Sequence, residues 1–135
     1  MKREYKIGEI VLAKLYGSGH VQNGVRPVVI IQNNIGNSYS PTLQIIPLTS
    51  KLAKKSLPTH VLIPAGVGGL AKNSIALCEG QRVINKNVIL NHIGNLPDEY
   101  MQALCLACFI STPLLKYLSQ QQLGNVYREL VAQAA

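Results

Sequence analysis

The sequence predicts a mainly β protein followed by a C-terminal helix. Three observations carry this. Short β-branched runs recur between Gly, Pro and Asn clusters from Ile7 to Ile93. Leu96-Pro97-Asp98-Glu99 then reads as a helix start, with Pro early and two acids facing the positive end of the helix dipole. The residues after it, Tyr100, Ala103, Leu104, Ala107, Cys108 and Ser111, follow the three-four spacing of a packed helix. Trp is absent and Phe109 is the only Phe, so the core has to come from Val, Ile, Leu and Ala. At 135 residues the chain makes one domain with room for such a core.

The elements follow in order. Ile7–Leu15 is the first strand, and its incomplete alternation fits a strand covered on both faces. Tyr16–Asn23 is a Gly-marked loop. Residues 24–49 are two apolar runs around a turn-rich loop, Asn34 to Pro41, which predicts two antiparallel strands. Folding the pair about Asn37-Ser38 sets Arg26 opposite Thr49 at one end of the sheet. Pro27 favours an extended Arg26 and sits at an allowed strand start. Thr49–Lys55 reads as a short helix capped by Thr49 or Ser50. Leu57–Pro64 is a fourth strand. The glycines of Ala65–Asn73 lack the Gly-Lys-Ser/Thr of a nucleotide loop. Ser74–Glu79 is a buried strand that bends at Gly80 and continues through Arg82, and Val88–Ile93 is the last. Pro113 should end the helix. Residues 1–120 form the domain, and 121–135 are an extension, either a second helix or a loose tail.

Charge narrows the chemistry. The net charge is +7, and no Asp or Glu occurs between Ile10 and Cys78. That stretch carries Lys14, Arg26, Lys51, Lys54, Lys55 and Lys72, with His20 and His60. A basic, acid-free half points to RNA, DNA or an acidic protein segment, although a merely solubilising surface reads the same way. The only paired acids in the sequence, Asp98-Glu99, read as a helix start, so a two-metal nuclease, which needs clustered carboxylates, is not expected. Cutting RNA without metal remains feasible, because the 2′-OH is a built-in nucleophile. Arg26 and Thr49 together fit a phosphate, through a planar donor fork and a hydroxyl. Hairpin geometry alone leaves open an exposed Arg and a strand-end Thr with no ligand. Ser18, His20 and Gln22 are the polar groups of the loop before Arg26; His20 suits proton transfer but equally suits a solvated loop. His60 fits a structural role better than a catalytic one. Arg82 either pairs with Glu79 or Asp98 or contacts a nucleic acid. Cys78, Cys105 and Cys108 lack a second Cys pair for zinc and read as buried free thiols, suited to a reducing cytosol. The polar start of the chain gives no signal peptide, and the apolar run 103–110 is too short to span a membrane.

The blocks GVRPVVIIQNNIGNSYSPT, PLTS, LPTHVLI and NSIALCEGQRVINK, in this order and spacing, resemble the MazF/PemK toxin family from about Gly8 to Asp98. The resemblance implies a small SH3-like, PemK-type β-barrel with a C-terminal helix packed on it, forming a homodimer. It implies a cytoplasmic toxin of a type II toxin–antitoxin system, held inactive by an acidic, MazE-like antitoxin. Its activity would be sequence-specific cleavage of single-stranded mRNA with neither metal nor cofactor, by 2′-OH attack. The resemblance makes Arg26 and Thr49 catalytic. RNA contacts are expected from Ser18, His20, Gln22, Lys51, Lys54, Gln81 and Arg82, and base recognition from the loops 16–23 and 65–73. The family places Gln directly after the Glu; here Gly80 holds that slot and Gln81 follows, so a base contact there does not carry over. The alternative is a toxin of the same fold that acts on DNA gyrase, or a barrel that only binds nucleic acid.

Overall fold

Strand β1 (Glu9–Leu15) buries both faces. Ile10 enters one apolar cluster, while Val11, Ala13 and Leu15 enter a second. Strand β2 (Gly24–Ile30) divides in the same way, with Val29 on one side and Val28 and Ile30 on the other. The structure, a computed structural model, describes residues 3–17, 23–51 and 57–134. Within these, β3 (Thr42–Thr49), β4 (His60–Ile63), β5 (Ser74–Leu77), β6 (Arg82–Asn85) and β7 (Ile89–Asn95) complete a seven-stranded antiparallel sheet.

The strand path is β4-β5-β3-β2-β1-β7, with β6 also on β3. Strand β3 joins the two parts of the sheet. Its residues 42–45 pair with β6, and Leu48 and Thr49 pair with β5. The second apolar cluster lies inside the wall formed by β1, β2, β3 and β6. Among the described residues the strand ladder does not close into a full ring. The Arg82 guanidinium on β6 does reach across to the Tyr16 carbonyl just past β1, at 2.6 Å.

Helix α2 (Asp98–Ser111) covers the first cluster with Leu104 and Ala107 buried and Tyr100, Met101 and Cys108 packed beside them. It ends before Pro113, as the ring of that residue demands. A short 3-10 turn (Leu114–Tyr117) leads to α3 (Gln120–Ala134), so the C-terminal extension is helical. Among the described residues no helix is long and apolar enough to cross a membrane.

Three expectations are corrected. The turn-rich loop contains a short helix, α1 (Asn34–Tyr39), because its Asn residues make specific bonds. The Asn33 side chain accepts from the Gly36 amide at 2.9 Å, and buried Asn37 donates to the Gln32 carbonyl at 2.9 Å. Strand β5 stops at Leu77, and Cys78–Gly80 form a 3-10 turn with Gly80 against Pro47. Cys78 is buried and Cys108 half-buried, but Cys105 is exposed. One helical step past Leu104 turns Cys105 away from the buried stripe.

Candidate active site at the end of the β2–β3 hairpin

Val28 pairs with Pro47, Val29 with Ile46 and Ile30 with Ile45. This is the register that the hairpin predicts, and continuing it brings Arg26 and Thr49 together. Both line one cleft of about 230 Å³, with Ser50, Lys72 and Ser74 as its other polar side chains. The cleft therefore combines two cations and three hydroxyls, and its described lining holds no carboxylate.

Each group is oriented by its backbone. Arg26 is half-buried and donates its Nε to the Asn23 carbonyl at 2.7 Å. The terminal nitrogens of its fork make no other hydrogen bond among the described residues, which leaves them for a ligand. Thr49 is buried, and its Oγ1 accepts from the Lys51 amide at 3.1 Å. That bond fixes the oxygen and leaves the hydroxyl proton to donate. Lys51 itself is exposed at the same strand end. The far wall comes from the 65–73 loop. The Ala65 amide donates to Asn73 Oδ1 at 2.8 Å, and the Ser74 hydroxyl donates to the Lys72 carbonyl at 3.0 Å.

Glycines let this loop rest on β7. A side-chain carbon on Gly69 would stand 2.6 Å from the Ile93 carbonyl oxygen, and one on Gly94 would overlap the Gly68 carbonyl. Gly68 and Gly69 also hold positive φ, of 61° and 81°. Backbone thus meets backbone where a side chain would force the two apart.

Gln81 and Arg82 do not line this cleft. Gln81 lines an apolar groove against α2, beside Cys105, Cys108 and Phe109, and not the Arg26 cleft. Arg82 holds the Tyr16 carbonyl. The His60 Nε2 lies 3.0 Å from Glu79, whose other oxygen accepts from the Thr59 hydroxyl at 2.5 Å. Ser18, His20, Gln22 and Lys54 lie outside the described residues, as does most of the short helix expected after Thr49. Burial first, and the adjoining Cys108 second, push the Cys78 thiol up to about 12, so no reactive thiolate is offered there near neutral pH. Sequence reasoning did not assign Asn23, Ser50, Lys72 or Ser74 to the site. Lys72 carried a signal, as a lone cation in the Gly-rich loop; the other three carried none.

Comparison with known proteins adds four findings. The family model described as PemK-like, MazF-like toxin of type II toxin–antitoxin system matches residues 6–109. Endoribonuclease EndoA of Bacillus subtilis (strain 168) is 40% identical over 113 residues, spanning 83% of this chain and 97% of that protein. The crystal structure of MazF (Form-I) from Deinococcus radiodurans superposes with a TM-score of 0.70 at 20% identity, covering 81% of this chain and 96% of that one. An endoribonuclease in complex with its cognate antitoxin from Mycobacterial species gives a TM-score of 0.67 at 18% identity, covering 82% and 96%.

Proposed function

Since the chain belongs to the PemK-like, MazF-like toxin family of type II toxin–antitoxin systems, we propose that it is a metal-independent, sequence-specific endoribonuclease of single-stranded mRNA. The observation that carries this reading is the shared cleft of Arg26 and Thr49. A phosphodiester in the cleft would meet two cations and a set of hydroxyls.

In this reading the 2′-OH of the upstream ribose attacks phosphorus. An O2′–P bond forms, the P–O5′ bond breaks, and the products are a 2′,3′-cyclic phosphate and a 5′-OH. The 2′ proton is released, and a proton is delivered to O5′. The terminal nitrogens of Arg26 hold the charge that grows on the non-bridging oxygens. An Arg stays protonated at neutral pH, so this role is electrostatic. Thr49 donates to one of those oxygens while the Lys51 amide keeps its own oxygen in place. Lys51 and Lys72 bind neighbouring backbone phosphates. The acid-free stretch from Ile10 to Cys78 supports the metal-independent form of the reaction, since it supplies no carboxylate cage for a cation.

Two partners complete the proposal. A second copy would cover the apolar residues that α2 leaves outside, Leu106, Phe109 and Ile110. An acidic, partly disordered antitoxin segment would fold over the basic cleft.

The test is incubation of purified protein with a long single-stranded RNA in excess EDTA, beside Arg26→Ala, with mapping of the new 5′ ends. The expected outcome is discrete cuts with 5′-OH ends from the wild type. Arg26→Ala should be slower by about a hundred- to thousandfold, with an unchanged circular dichroism spectrum. Intact RNA from folded wild type would instead support a non-nucleolytic toxin.

A further inference from the structure

From the geometry we infer that Arg82 is a positioning residue for Arg26. It holds the neck of the loop that begins at Tyr16, and through that neck it sets the direction of the Arg26 guanidinium. The kinetic consequence rests on the endoribonuclease reading; the orientation of Arg26 does not.

Three hydrogen bonds run in series. Arg82 Nη2 donates to the Tyr16 carbonyl at 2.6 Å. The next carbonyl, of Gly17, accepts from Asn23 Nδ2 at 3.2 Å. The Asn23 carbonyl in turn accepts from Arg26 Nε at 2.7 Å. The two sides of the neck are thus tied to each other. One side is also fastened to β6, and the other to the candidate catalytic residue.

The position explains why fastening is needed. The β1–β2 ladder ends at Leu15 opposite Gly24, and Gly24 has a φ of 82°. Asn23 therefore lies beyond the last strand pair, where the ladder no longer holds its carbonyl. The Gly17 bond does so in its place. A carbonyl fixed on Nε sets the plane of the guanidinium and aims its terminal nitrogens. Without it, Arg26 would visit other rotamers, and misplacement by about 1 Å costs about a hundredfold in rate. Arg82 is suited to the anchoring role. It projects from β6 opposite Ile45, a fully buried residue of β3, so its own backbone belongs to the rigid wall.

The experiment compares wild type, Arg82→Met, Arg82→Lys, Asn23→Ala and the Arg82→Met/Asn23→Ala double variant. Cleavage is measured on an oligoribonucleotide carrying the wild type's cut site. Binding is measured as Kd over a salt series, on the same strand with a 2′-deoxy nucleotide at the cut. Arg82→Met should lower kcat by about ten- to hundredfold and leave Kd and its salt slope unchanged. Arg82→Lys, which keeps a donor for the Tyr16 carbonyl, should recover most of the rate. The double variant should cost no more than the worse single one, because both act through one neck. A raised Kd, with a salt slope shallower by about 0.7, would make Arg82 a direct phosphate contact and overturn the inference. So would a multiplicative loss in the double variant.

A second readout needs no activity. The Arg26 Nε–H resonance, assigned by its absence in Arg26→Lys, should exchange slowly with water. Exchange should speed up about tenfold or more in Arg82→Met and slow again in Arg82→Lys. Unchanged exchange would overturn the inference. If the wild type leaves RNA intact, the endoribonuclease reading fails, and this resonance still decides the role of Arg82. Should Arg82→Met not fold, Asn23→Ala at its exposed position carries the same comparison.

Discussion

Arg26 and Thr49 are separated by 22 residues of chain and meet because two strands share a register. That much is legible in the sequence, since apolar alternation around a turn-rich centre fixes which residues face each other. What each side chain does there is less legible. Thr49 reads as a helix cap, and it does accept an amide bond, from Lys51, two residues on. Arg82 reads as a cation for RNA or for an acid, yet its guanidinium holds a carbonyl. A long-range bond of this kind leaves no trace in local pattern. Cys105 and Cys108 show the same limit: spacing puts them on a helix, but not which of them faces water. Cys78 also makes a pH prediction. Its ordinary value is 9.0, and burial with Cys108 beside it pushes it up to about 12. Below 9 the thiol is protonated whether the chain is folded or not. As pH rises from 9 towards 12, the unfolded chain releases a proton that the folded chain keeps, so stability falls across that window. Urea midpoints at about pH 8 and about pH 10 should drop further for wild type than for Cys78→Ala. Equal drops would assign the alkaline loss to other groups.

At the scale of elements, the strands were readable because both apolar clusters draw on alternating residues of β1 and β2. Helix α2 was readable because its buried residues keep the three-four spacing. The short helix α1 was not. A sequence of Asn, Ile, Gly, Asn, Ser and Tyr has turn propensity, and only the Asn33 cap and the buried Asn37 bond make it helical. The 65–73 loop was legible as irregular, but its support was not. Three glycines, Gly68, Gly69 and Gly94, seat it against β7, and the sequence separates the last from the first two by 24 residues or more. Gly94→Ala tests that support. The added carbon would meet the Gly68 carbonyl, so the loop must lift or β7 must shift. Overpacking of this kind costs about 1–3 kcal/mol, readable by chemical denaturation. Because the loop carries Lys72 into the cleft, KM for RNA should rise as well. An alanine variant with wild-type stability and KM would mean that the loop adjusts freely and does not set the position of Lys72.

At the scale of the whole molecule, charge and apolarity are segregated. The acid-free stretch supplies the cleft, while the helical C-terminal part supplies exposed apolar surface. Helix α2 buries one stripe on the sheet and leaves Leu106, Phe109 and Ile110 at 67%, 44% and 57% exposure. A helix that is apolar on nearly all sides is stable in water only when both sides are covered. The sheet covers one side, and a second copy of the chain would cover the other. Helix α3 differs, because its apolar residues lie along one face and its remaining surface is polar. It also falls beyond residues 6–109, the part that matches the family. The two helices should therefore respond differently to change. Ile110→Lys puts a charge in the outward face of α2 without touching the buried Leu104 and Ala107. Light scattering after size exclusion should then report half the wild-type mass, with the circular dichroism spectrum preserved. Truncation after Leu118 should still give a dimer, with a mass twice that of one shortened chain. If Ile110→Lys keeps the wild-type mass while the truncation halves it, the association surface belongs to α3, and the exposed face of α2 must find its cover in another partner.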